Sequence, residues 1–199
     1  MGKRIRSIEV SDAPAVRDIY APFVLDSATS FEVVAPDVSE MERRIMDLRA
    51  RYPWLVFESD GKVLGFAYAS PHRARSAYQW DVDVSVYINS DSYRQGIGRA
   101  LYTALFALLR RLGYFNAYAG ISLPNRASVG LHESLGFTRI GIFERTGFKF
   151  GQWHDVVWLQ LRLLEDSVPT EDPRPADRLL EDNRIVAMLD ECAQTVTLD

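Results

Sequence analysis

One cysteine, Cys192, stands among 199 residues. A lone thiol forms no internal disulfide, and a reducing cytoplasm is the expected setting. Histidine is nearly as scarce: His72, His132 and His154 share no ligand spacing, so no metal is expected. No serine or cysteine sits in an activating nucleophile motif, which argues against a covalent intermediate. Long apolar runs are missing as well. The most apolar helical stretch, residues 99–112, is too short to span a bilayer and is flanked by arginines. Behind the opening Met1-Gly-Lys-Arg-Ile-Arg6 no apolar signal run follows, so no export is expected. Basic residues are not clustered, which speaks against a nucleic-acid surface. No internal repeat is present.

What is present is the composition of a globular protein, 47% hydrophobic and 12% aromatic. The length allows one sizeable core plus an appendage. The net charge of −4 is unevenly spread: residues 166–199 hold nine acids and three bases, leaving 18 acids and 20 bases before them. A near-neutral domain, residues 1–165, is therefore expected to precede an acidic linker and short helix, residues 166–199.

Local patterns predict the elements in turn. A strand over 4–10 leads into Ser11-Asp-Ala-Pro14, a helix start with a capping side chain and an early proline, and that helix runs to about residue 25. Ser39-Glu-Met-Glu42 reads as a capping box for a helix through about residue 51. Residues 54–58 and 62–69, joined by Asp60-Gly61, read as a hairpin. A strand over 79–88, a helix over 98–112, a strand over 115–121 and a helix over 125–135 follow. Strands over 139–144 and 153–163 close the series. The order is β-α-α-β-β-β-α-β-α-β-β. Residues 168–175 read as a linker. Beyond it, Leu179, Leu180, Ile185, Val186, Met188 and Leu189 suit either a docking amphipathic helix or a frayed tail.

The strand ending near Ile88 runs into a polar turn, then Gly96-x-Gly98, then the apolar helix. Free backbone N–H groups and a helix N-terminus there suit a phosphate anion, and glycine lets such an anion approach the backbone. Arg94 and Arg99 add positive charge, and no Asp or Glu occurs from Ser92 through His132. A P-loop would need Lys-Ser/Thr after Gly98, where Arg99-Ala100 stands. A dinucleotide fold would need a third glycine at Leu101 and an acid about twenty residues on, which the acid-free run excludes. A glycine turn without a ligand is the plain alternative.

The segment Tyr93-Arg-Gln-Gly96-Ile-Gly98 resembles the acyl-CoA pyrophosphate loop of GNAT acetyltransferases, Gln/Arg-x-x-Gly-x-Gly/Ala, with Tyr93 departing at its first position. Gln79-Trp80-x-Val82-Asp83-Val84-Ser85-Val86-Tyr87 resembles the phosphinothricin and methionine sulfoximine acetyltransferase branch. So do Leu123-Pro-Asn125-x-x-Ser128-x-x-Leu-His132-Glu-x-Leu-Gly136-Phe137 and Gly147-Phe-Lys-Phe-Gly-Gln-Trp-His-Asp155. The likeness covers about residues 5–163. It implies an α+β fold of three α/β/α layers, whose mixed, mostly antiparallel central sheet splays in the middle.

The resemblance also implies roles. Acetyl-CoA would be the co-substrate, held at its pyrophosphate by Arg94, Gln95, Gly96, Ile97, Gly98 and Arg99. The backbone of Val86, Tyr87 and Ile88, together with Asn125, would hold its pantetheine arm. Asn125 also reads as a plain helix N-cap. Asp83 stands where the family usually carries Glu. It would serve as base for an amine that must lose a proton before attack, and its shorter side chain favours a water relay. A carboxylate that caps a loop or pairs with arginine is the plain reading. His132 would donate a proton to the departing thiolate, or merely pack. Arg73, Ala74 and Arg75, with Asp83, Val84 and Ser85, would contact the substrate, the two guanidinium groups gripping an acidic end.

These roles describe direct acetyl transfer to the α-amino group of a small amino-acid-like substrate such as phosphinothricin, methionine sulfoximine or methionine sulfone. A protein or peptide acetyltransferase and a non-catalytic acyl-CoA sensor are the alternatives. A homodimer is expected from Phe143, Phe148, Phe150 and Trp153 in and beside a loop, with Lys149 or Trp153 near the neighbouring cleft. The alternative for that loop is a lid over its own pocket.

Overall fold

The computed structural model describes residues 2–164, 168–180 and 182–198. Its strands are β1 (Lys3–Ser7), β2 (Trp54–Ser59), β3 (Lys62–Pro71), β4 (Asp81–Ile88), β5 (Asn116–Ser122), β6 (Thr138–Lys149) and β7 (Gln152–Arg162). They form one sheet in the order β1-β2-β3-β4-β5-β7-β6. Only β4 and β5 pair in parallel.

Side chains alternate across this sheet with the period of two that a strand imposes. Trp54 and Val56 face α1 (Ala13–Leu25) and α2 (Val38–Arg49), where they join Val16, Ile19, Met41 and Ile45. Leu55 and Phe57 face the other way, into a cluster with Leu101, Leu105 and Leu108 of α3 (Ile97–Leu112). Helix α4 (Arg126–Ser134) adds Val129 to that second cluster. The result is the expected three-layer arrangement around a mixed, mostly antiparallel sheet.

The parallel pairing is short. Its register runs Asp81↔Asn116, Val82↔Ala117 and Asp83↔Tyr118, and ends there. Beyond Asp83 the two strands part, β4 continuing to Ile88 and β5 to Ser122. This is the expected splay, and Asp83 stands at its fork.

Several boundaries differ from the sequence reading. Helix α2 is capped by Asp37 and not Ser39: the Glu40 N–H donates to Asp37 Oδ1 at 2.8 Å, and the Ser39 hydroxyl donates to the same oxygen at 2.8 Å. A carboxylate is the stronger acceptor, so it takes the cap. Strand β4 starts at Asp81 because a 3-10 turn at Ser76–Tyr78 precedes it. The segment expected as a loop around Phe148 is strand: β6 extends to Lys149, and Phe150-Gly151 closes a two-residue hairpin turn with φ of 51° and 74°. Register shifts between Arg139 and Gly141 and between Phe143 and Gly147 interrupt the alternation that would have revealed it.

The tail folds back onto the domain. Helix α5 (Asp177–Leu180) leads to α6 (Asn183–Gln194), which packs on β1 and α3. Ile185, Leu189 and Ala193 are buried in the main core, whereas Val186 is exposed. Of the expected apolar face, Leu179 and Met188 are partly buried against that core, and the Leu180 side chain lies outside the described structure. The expected domain boundary falls on residues 165–167, which lie outside the described residues.

Candidate active site

Asp83 owes its position to the fork. Its Oδ1 accepts a 2.7 Å hydrogen bond from Nδ1 of His72, the first residue after β3. An ionised carboxylate only accepts, so the proton resides on Nδ1. The His72 ring stacks on Tyr118 with centroids 4.2 Å apart, and Tyr118 is the register partner of Asp83. Burial raises the Asp83 carboxyl above the usual carboxylate range, while the His72 bond and the charges of His72 and Arg73 pull it down. A partly desolvated carboxylate on a rigid strand is suited to accept a proton. Sequence reading missed His72 because its partner lies across a hairpin. Replacing His72 by Gln removes a group that lowers the Asp83 carboxyl, so that carboxyl should titrate at higher pH. A carbon-13 NMR titration of Asp83 checks this; an unmoved midpoint would refute the coupling.

The parted strands enclose two adjoining spaces. A narrow one, about 60 Å³, is bounded by Val84–Tyr87, Ala119–Ser122, Tyr102, Asn125, Ser128 and His132. A larger chamber of about 430 Å³ is bounded by Asp83, Phe31, Ser70, Phe143, Thr146, Val156 and Trp158. Thr29, Val84, Ser85, Gly120 and Ser122 line both. The larger volume lies in the usual range for small-molecule sites, about 300–1,000 Å³. Its outer wall comes from elements distant in sequence. Phe31, on the loop after α1, lies so close to Gly147 that a Cβ there would collide with its ring. Lys149 fixes the same loop: its buried Nζ donates to the carbonyl oxygens of Val24, Ser27 and Ser30 at 2.6, 2.9 and 2.7 Å. Lys149 therefore faces its own chain and not a neighbouring cleft.

His132 is buried, with both ring nitrogens engaged. Nδ1 lies 2.8 Å from the Ser128 carbonyl and must carry the proton, so Nε2 accepts the Tyr102 hydroxyl at 3.1 Å. Burial lowers its pKa and favours the neutral ring. This geometry does not fit the expected donor, because no N–H of His132 is free to face the cleft. It fits a residue that orients Tyr102, which sequence reading took only as part of an apolar helix.

Between the end of β4 and the start of α3 lies the glycine turn. Arg94 and Gly96 take positive φ of 64° and 87°. Gly96 caps α3 in the left-handed region, where a side chain would be strained. Gly98 packs tightly: a Cβ there would stand 3.3 Å from Leu131 and 4.0 Å from Val86. The Ile97 side chain is buried, and Gln95 is half-buried. Arg94 is exposed, whereas Arg99 donates to the Ser134 hydroxyl at 2.7 Å and so ties α3 to α4. Asn125 caps α4 by accepting the Ser128 N–H at 3.1 Å.

Val86, Tyr87 and Ile88 pair with β3 on one edge, and their other edge lies on the parted side of β4. The Tyr87 ring packs against Tyr20 and Phe23 with centroids 4.9 and 5.1 Å away. Arg73, Ala74 and Arg75 form an exposed loop, and none of the three lines either space. The site thus unites a glycine turn, a cleft between parted strands and a carboxylate beside a chamber. That layout fits the expected co-substrate: the turn would take its pyrophosphate and the β4 edge its pantetheine arm.

Known proteins resemble this chain in sequence and fold. The sequence model of the acetyltransferase (GNAT) domain matches residues 5–158. A phosphinothricin N-acetyltransferase of Streptomyces viridochromogenes is 39% identical over 175 residues, 88% of this chain and 95% of its own. An L-methionine sulfoximine/L-methionine sulfone acetyltransferase of Salmonella typhimurium is 35% identical, over 83% of this chain and 97% of its own. The crystal structure of a phosphinothricin acetyltransferase from Sinorhizobium meliloti in complex with AcCoA superposes with a TM-score of 0.83 at 33% identity, covering 88% of this chain and 97% of that one. With the parted sheet, the glycine turn and these relatives in agreement, the chain belongs to the GNAT acetyltransferase family.

Proposed function

We propose that this protein acetylates the α-amino group of a small amino-acid-like substrate of the phosphinothricin, methionine sulfoximine or methionine sulfone type, using acetyl-CoA. The observation that carries the reading is Asp83 at the fork, beside a walled chamber of about 430 Å³. Acetyl-CoA, when bound, supplies an activated thioester. Asp83 takes the proton of the substrate ammonium, directly or through a water, and frees the nitrogen lone pair for attack on the carbonyl carbon. The C–N bond forms as the C–S bond breaks, and the second proton that the nitrogen loses on becoming an amide goes to the departing sulfur. His72 holds Asp83 in place, and His132 holds Tyr102 at the cleft wall.

Peptide or protein acetylation would favour an open groove. The wall formed by Phe31, Thr146 and Trp158 supports a small substrate instead. A panel of amino acids and peptides, read by thiol release from acetyl-CoA, tests the reading. Turnover of peptides alone would reject it, and acetyl-CoA binding without turnover of any amine would favour the sensor alternative.

Arg73, whose charge reaches Asp83, is assigned to the acidic end of the substrate, with Ala74 and Arg75 beside it. Arg73→Ala should raise the amino-acid KM severalfold with little change in the KM for acetyl-CoA. Equal activity of the native protein toward amines lacking a carboxylate would contradict this.

A cytoplasmic homodimer completes the proposal. Ile140, Ile142, Phe143, Phe148, Phe150 and Trp153 are each at least half exposed on the β6–β7 hairpin. Apolar groups concentrated in this way suit a partner surface. Light scattering at micromolar concentration should give twice the 22.6 kDa of one chain; a monomer mass would reject the dimer.

A further inference from the structure

The acidic tail reaches the glycine turn. The family match ends at residue 158. The tail after β7 crosses the domain from one end of α3 to the other. The Arg174 N–H donates to the Leu112 carbonyl at the C-terminal end of α3, at 2.9 Å. The Ala176 N–H donates to the Ala50 carbonyl at 3.1 Å. Helix α6 then packs on β1 and α3 and delivers the chain to the opposite end. There Lys3 Nζ donates to the Val196 carbonyl at 2.6 Å, and the Gln194 amide donates to the Lys3 carbonyl at 3.1 Å. Val196 is buried, its Cα 4.0 Å from where a Cβ on Gly96 would lie. The Thr197 N–H donates to the Gln95 carbonyl at 3.3 Å.

We propose that this tail is a positioning element of the acetyl-CoA site, setting the anion-binding turn through the Gln95–Gly96 peptide. A trans peptide is planar and its C=O and N–H point in opposite directions. Fixing the Gln95 carbonyl on Thr197 therefore turns the Gly96 N–H away from the tail. Gly96, with φ of 87°, is the residue in this turn with the fewest steric limits on its backbone. An external hydrogen bond restrains it where no side chain can. Thr197 acts through its backbone, since its side chain is exposed. The proposal rests on the acetyltransferase reading, because it gives the ordered turn a pyrophosphate to bind.

Thr197→Pro removes the N–H, and Thr197→Ala keeps it. Lys3→Met releases the Val196 carbonyl without touching residue 197. Thr197→Pro and Lys3→Met should raise the KM and dissociation constant for acetyl-CoA about three- to tenfold, the range for one lost hydrogen bond. The amino-acid KM and the kcat at saturating acetyl-CoA should stay within about twofold, as expected when a binding contact alone is lost. Hydrogen exchange in the free protein should accelerate at Gly96 and Ile97 while residues 185–193 stay protected, which shows that α6 remains docked. Acetyl-CoA affinity unchanged in both variants, a loss in Thr197→Ala equal to that in Thr197→Pro, or parallel increases in both KM values would each overturn the proposal. If wild-type protein bound no acetyl-CoA in calorimetry, the functional reading itself would fall and this role with it. If it bound and Thr197→Pro did not weaken it, only this role would fall.

Discussion

Asp83→Asn should slow turnover about 10²–10⁴-fold, the range for loss of one general base, while acetyl-CoA affinity stays unchanged. Asn is nearly isosteric with Asp, so the fork and its last register pair with Tyr118 are kept. What disappears is the group that takes a proton from the ammonium. The amide can still accept the His72 N–H that the carboxylate accepts at 2.7 Å, so the fold should not suffer. The deficit should shrink as pH rises, because more of the substrate is then free amine and needs no base. Steady-state rates between neutral and alkaline pH decide the matter. Wild-type turnover at pH 7, or a deficit that does not depend on pH, would remove Asp83 from proton transfer.

Gly98→Asp should weaken acetyl-CoA at least tenfold, about 1.4 kcal/mol or more. A side chain at this position heads toward Leu131, Ile88 and Val86, between the open edge of β4 and α4. A carboxylate there would sit at the N-terminus of α3, where it occupies the positive end of the helix and repels a pyrophosphate. The same dipole stabilises the new charge in the folded chain, so loss of binding need not mean loss of structure. The 3.3 Å approach to Leu131 requires only a shift of a side-chain end. Calorimetry with acetyl-CoA, beside a thermal melt, gives the answer. Unchanged affinity in a folded variant would show that the anion binds elsewhere.

Local signals in the chain carried much of the architecture. Asp60-Gly61 announced a two-residue hairpin, and both residues do take positive φ, 48° and 78°. Gly113 ends α3 with φ of 90°, as a glycine after an apolar helix should. Where a local signal was disguised, the reading failed. Phe150-Gly151 makes the same kind of turn as Asp60-Gly61, but phenylalanine is not a residue that favours positive φ. The register shifts in β6 then hid the alternation of the strand before it.

The amino-acid order alone determined the succession of elements, the glycine turn before an apolar helix and the place of Asp83 on the strand that leads into that turn. Each follows from backbone preferences and side-chain period within a few residues. Tertiary structure alone decided that His72 holds Asp83, that His132 meets Tyr102, and that Lys149 pins the loop carrying Phe31. It alone brought Thr197 to Gln95 across about half of the chain. Those pairs depend on strand register and on which helix covers which face. Contacts made by residues tens of positions apart leave no periodic trace in either segment, and only the packed core fixes them.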